Sequence, residues 1–119
     1  MSKPPSPRMR KVNELVREVV ADEVRELKDP RIGFLTITGV DTAPNLRNAI
    51  VYYSVLGDAE QHAATAAALR TAGKRLQAAV GRQTRLKYTP VLEFRVDPAI
   101  ETGLRMERLL HDLEQEEPT

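Results

Sequence analysis

Cysteine is absent from the chain, which removes disulfides, thiolate zinc sites and cysteine nucleophiles together and suits a reducing compartment. Long apolar runs are absent too. Nowhere do about 18 consecutive apolar residues occur, the length a membrane span requires, and the start MSKPPSPRMRK has no apolar stretch of signal-peptide length. A soluble cytoplasmic protein without membrane contact is therefore expected. The two histidines, His62 and His111, have no metal-like spacing. There is no P-loop pattern, no dinucleotide glycine fingerprint and no nucleophile–base arrangement. Metal, cofactor and catalysis are all unexpected.

What is present fits one globular domain: 119 residues, 41% hydrophobic and 29% charged. The net charge of +1 conceals a separation of sign. Between Arg70 and Arg95 stand seven basic residues and the single acid Glu93, whereas from Asp97 onward seven acids face only Arg105 and Arg108. A basic surface and an acidic tail follow, the first suited to an anionic partner.

Three prolines and two serines within residues 1–7 mark a flexible lead, with the domain proper at 8–113 and an acidic tail at 114–119. Val12, Leu15, Val16, Val19, Val20, Val24 and Leu27 recur at three- and four-residue intervals and predict an amphipathic helix, stopped by Asp29-Pro30. GFLTITGV at 33–40 and LRNAIVYYSVL at 46–56 predict two antiparallel strands joined through TAPN. An alanine-rich helix should follow Gly57-Asp58 and stop at Gly81. VLEFRV should form a strand burying Leu92, Phe94 and Val96, and a last helix should span about 99–112, offering Ile100, Leu104, Leu110 and Leu113 for packing. The predicted order is α-β-β-α-β-α.

Gly73 stands inside the alanine-rich helix, on the same stripe as Leu69, Leu76 and Val80. Glycine there costs about 1 kcal/mol relative to alanine. Either it lets the helix approach the sheet closely, or it permits a break that re-aims the second half, or it is a tolerated glycine with no role.

KDPRIG at 28–33, NAIVYYS at 48–54, TAG at 71–73, RLKYTPVLEF at 85–94 and IETGLRM at 100–106, in that order and spacing, resemble the ribosome-binding factor A family of bacterial small-subunit maturation factors. The resemblance implies an α+β, KH-like domain of type II topology with a C-terminal helix, its long helix interrupted at Thr71, Ala72 and Gly73. Ordinary KH domains clamp the nucleic-acid backbone with a GXXG loop. This chain has none, since its glycines stand at 33, 39, 57, 73, 81 and 103, and the interruption would take the loop's place. Thr71, where the family usually has alanine, and Ile50, often a lysine, depart from its pattern.

By the same resemblance the chain is a monomeric, non-catalytic assembly factor. It would bind the free or immature 30S subunit and assist maturation of 16S rRNA, including its 5′ end, with assembly GTPases as neighbours. The residues expected to contact RNA are Arg8, Arg10, Lys11, Arg70, Gly73, Lys74, Arg75, Arg82, Arg85 and Lys87. A break at Gly73 would free backbone N–H groups for a phosphate oxygen. Of the neighbours Tyr52 and Tyr53, at most one can face outward as a stacking surface. A solvated helix face is the simplest use of a charge run, but the lack of interleaved acids favours an RNA backbone. A general KH-like RNA binder and a protein-interaction module are the alternatives.

Overall fold

The computed structural model describes residues 4–116. Residues 1–3 of the expected lead and 117–119 of the expected tail lie outside the described residues, as do the side chains at 100–105 and 116, Ile100 and Leu104 among them. The elements run α1 (Pro7–Arg25), β1 (Leu35–Thr42), β2 (Asn48–Val55), α2 (Ala59–Gln83), β3 (Val91–Val96) and α3 (Pro98–Glu116). This is the predicted order, and the architecture is α+β with a KH-like topology.

Helix α1 starts one residue into the expected lead. Ser6 caps it, its Oγ accepting from the Met9 N–H at 3.2 Å, and Pro7 follows where a missing N–H costs nothing. The helix ends at Arg25, before Asp29-Pro30 is reached, so proline is not the immediate stop. Asp29 instead builds the turn, its Oδ1 accepting from the Arg31 N–H at 2.9 Å. Val16, Val19, Val20 and Val24 are buried as the periodicity predicts, but Leu15, at the margin of that stripe, is exposed.

The sheet order is β1-β2-β3, with β1 and β2 antiparallel and β2 and β3 parallel. Parallel pairing requires a crossover connection, and α2 supplies it. Alternation places Ala49, Val51, Tyr53 and Val55 inward, with Leu92, Phe94 and Val96 beside them in register. Tyr52 therefore looks out from the opposite face, paired with Gly39 on one side and Arg95 on the other. The inner face meets α1 and α2, whose Val16, Val20, Leu69, Leu76 and Val80 are fully buried in one core. Leu46, expected within a strand, lies in the turn before β2 instead, buried and at φ 64°. Its side chain is taken out of water at the cost of a left-handed backbone.

The expected break in α2 is not seen. Residues 59–83 form one helix of 25 residues, opened by Asp58, whose Oδ1 accepts from the Gln61 N–H at 2.8 Å, and closed at Thr84. Leu69, Leu76 and Val80 stay in phase on both sides of Gly73 and pack against one core, so continuity is favoured by far more than glycine's cost. Close approach is not Gly73's role either, because a Cβ built there would meet no heavy atom of another element within 4 Å. Gly73 lines a shallow depression with Leu69, Arg70, Tyr53, Leu92 and Phe94. Gly81 is likewise no stop, as the helix runs past it; a Cβ there would lie 3.0 Å from Thr89 Oγ1, so glycine lets the loop into β3 fold against the helix.

Helix α3 is longer than predicted, and its large apolar side chains among the described residues are not packed. Met106, Leu109, Leu110 and Leu113 are each more than half exposed. Its start is pinned by Asp97, whose carboxylate accepts from the Ala99 N–H at 2.9 Å and from the Thr38 hydroxyl at 2.6 Å.

Candidate nucleic-acid interface

Antiparallel packing of α1 and α2 decides which basic residues meet. Glu23, near the end of α1, bonds Arg75 of α2 at 3.2 Å, while Asn13, near its start, accepts from the Thr42 N–H at 2.8 Å where β1 ends. The first turns of α1, with Arg8, Arg10 and Lys11, therefore lie at the same end of the domain as the C-terminus of α2 and its following loop, with Arg82, Arg85 and Lys87. All six side chains are exposed.

On α2 the basic residues divide between two stripes. Arg70 and Lys74 look toward β3: Arg70 borders the depression at Gly73 and Phe94, and Lys74 borders a second one with Gln77, Ala78, Gly81 and Thr89. Arg75 lies on the side of α1, bound to Glu23. That neutralises Arg75 and weakens its candidacy as a phosphate contact. Arg70, Lys74, Arg82, Arg85 and Lys87 have no ion pair within the described residues. With α2 continuous through Gly73, the helix start expected there, with its free backbone N–H groups, is not formed.

Thr71, expected at the break, does something else. Its Oγ1 donates to Ala67 O at 3.1 Å and accepts from Arg31 Nη2 at 3.3 Å, while Arg31 is also held by Asp29 at 2.7 Å. The KDPRIG turn is thereby hooked to the middle of α2, and Gln61 Nε2 adds a bond to Arg31 O at 3.0 Å. Arg31 beside it holds the Asp29 carboxyl below the usual carboxylate range. Arg31 is thus a structural clasp, its charge already answered.

The sequence reasoning missed Arg47 and gave Tyr88 no role. Arg47 sits just before β2, and the Val91 N–H donates to its carbonyl at 2.9 Å, so the starts of β2 and β3 meet there. Its guanidinium carbon lies 4.1 Å from the centroid of the Tyr88 ring, and the Lys87 ammonium is 5.5 Å from the same ring. Only the parallel register of β2 and β3 brings them together, and that register is not written in either segment alone.

No group of three metal-binding side chains occurs among the described residues. No helix among them is long and apolar enough to cross a membrane.

A family model described as ribosome-binding factor A matches residues 8–110, nearly the whole described domain. The chain belongs to the ribosome-binding factor A family. It is 44% identical over 110 residues to ribosome-binding factor A of Geobacter sulfurreducens, an alignment covering 92% of this chain and 93% of that one. The crystal structure of ribosome-binding factor A from Thermus thermophilus superposes with a TM-score of 0.67 at 28% identity, covering 74% of this chain and 94% of its own. A homology model of the Thermus thermophilus protein, fitted into a cryo-electron-microscopy map of a 30S complex, superposes with a TM-score of 0.60 at 30% identity, over 72% and 91% of the two chains. Membership of ribosome-binding factor A thus rests on sequence along most of the chain and on the fold independently.

Proposed function

We propose that this chain is a non-catalytic small-subunit assembly factor, which binds the free or immature 30S subunit and assists maturation of 16S rRNA, including its 5′ end. One observation carries the reading beyond family membership: at one end of the domain, the start of α1, the end of α2 and the loop 84–90 expose Arg8, Arg10, Lys11, Arg82, Arg85 and Lys87, none of which has an ion pair among the described residues. Side chains of this kind contact phosphates, which supply affinity and salt dependence but little sequence information. The mechanism is selection of one RNA conformation through differential binding energy. The protein would act as a cytoplasmic monomer, with assembly GTPases as neighbours on the subunit.

The experiment is co-sedimentation with separated small subunits, large subunits and assembled ribosomes over a salt series. Selective binding to small subunits is expected. With about six phosphate contacts on single-stranded RNA, the logarithm of the association constant should fall with log salt at a slope of roughly −4. Equal binding to every particle would favour a general RNA binder, and no binding to any would overturn the proposal.

A further inference from the structure

Arg47 is exposed, free of any acid partner among the described residues, and fixed at its backbone on both sides. Its N–H donates to Asn45 Oδ1 at 3.0 Å, and its carbonyl accepts from Val91 at 2.9 Å. Tyr88, 36% exposed, is held from the other strand by the buried Pro90 two residues on. The 4.1 Å separation places the guanidinium against the ring. Neither 43–48 nor 84–91 contains an acid, and Arg47, Arg85 and Lys87 have no ion pair among the described residues.

Lys87, the chain neighbour of Tyr88, lies 5.5 Å from the same ring that Arg47 meets from the start of β2, so one ring carries two cations. Two like charges beside one ring repel each other, and no acid among the described residues pairs with either. A polyanion relieves that repulsion, and a guanidinium backed by an aromatic ring leaves its outer plane open. Unpaired RNA bases stack on such surfaces, whereas bases within a duplex are already stacked on one another.

We propose that the Arg47–Tyr88 stack is a base-stacking site for an unpaired nucleotide of single-stranded RNA, flanked by Arg85 and Lys87 as phosphate contacts. The inference rests on the RNA-binding reading and adds to it a contact with a base rather than with the backbone. Stacking tolerates any base identity, so the contact selects an unpaired nucleotide over a paired one rather than one base over another.

The test uses the full chain and purified small subunits. Arg47→Lys retains the charge but loses the plane, Tyr88→Leu loses the ring, and Tyr88→Phe retains it. Arg47→Lys and Tyr88→Leu should each weaken binding between about fivefold and a hundredfold while leaving the salt slope unchanged, and Tyr88→Phe should bind as the unaltered chain does. Ultraviolet irradiation of the complex, followed by mass spectrometry, should place a nucleotide adduct on Tyr88. Thermal melts of each variant identify any loss due to misfolding, and the Arg47→Lys substitution at an exposed position supplies the readout least open to it. Wild-type affinity for Arg47→Lys, or binding with no adduct at Tyr88, would overturn the stack. Failure of the unaltered chain to bind small subunits would instead overturn the functional reading on which it rests.

Discussion

Replacing Gly73 by alanine distinguishes an unbroken α2 from a helix that opens at this position. In an unbroken helix, alanine is favoured over glycine by about 0.8–1 kcal/mol through backbone entropy alone. The new methyl neither clashes nor gains much, because a Cβ at residue 73 meets nothing beyond its own helix within 4 Å. Gly73→Ala should therefore stabilise the protein by about 1 kcal/mol, which for 119 residues raises Tm by roughly 4 °C. Thermal unfolding and urea titration of both chains measure it, with an unchanged urea slope showing that the native fold is kept. A lowered Tm would refute the reasoning, since it would mean that residue 73 needs a conformation alanine resists. Co-sedimentation of the same variant carries the question to the bound state. Unchanged affinity for small subunits means α2 stays continuous when bound; a more stable variant that no longer binds means the helix opens there on the RNA.

Three further outcomes follow from the same geometry. Leu76→Ala, which empties a fully buried position between α1 and the sheet, should cost 2–5 kcal/mol in urea unfolding, about the range found for such truncations. Burial pushes the Tyr53 hydroxyl above its ordinary value, with Arg70 pulling the other way. Its neutral form is thus the native one, so stability should fall as pH rises above about 10, where unfolded tyrosine ionises, and Tyr53→Phe should remove that part of the decline in a pH series of melts. Lys74→Glu combined with Arg82→Glu should make the salt slope of small-subunit binding shallower by about 1.4 while changing stability by less than about 0.5 kcal/mol. Arg75→Glu is a poorer probe, because it sets an acid against Glu23.

Periodicity made most of the framework legible. The valines of α1 at three- and four-residue spacing and the alternation of Leu92, Phe94 and Val96 each point to a single inward face; Val16, Val19, Val20 and Val24 are buried, and the three β3 residues are half-buried against the same core. Signals at single residues were less transferable. Gly73 and Gly81 invite a break and a stop, yet a long apolar stripe held against a core overrides the propensity of one glycine. Leu46 reads as a strand residue by composition, but it serves the core from a turn. For the basic surface, the sequence shows which charges occur and not which are already paired. Arg75 and Arg31 are answered by Glu23 and Asp29, while Arg47, isolated in a loop, gains its neighbours from a strand it pairs with only after the crossover is made.

The parallel pairing of β2 with β3 also sets an order in time. Helix α1 and the β1–β2 hairpin close over short sequence distances, whereas β3 must return to β2 across the whole length of α2, a non-local contact of the kind that closes slowly. As an edge strand, β3 is also a natural first unit to leave when the protein opens locally. A chain in either condition carries every positive charge of the finished protein, yet Arg47 and Tyr88 are still apart. Charge alone would let it approach RNA, whereas completion of the fold would decide whether it can hold a base.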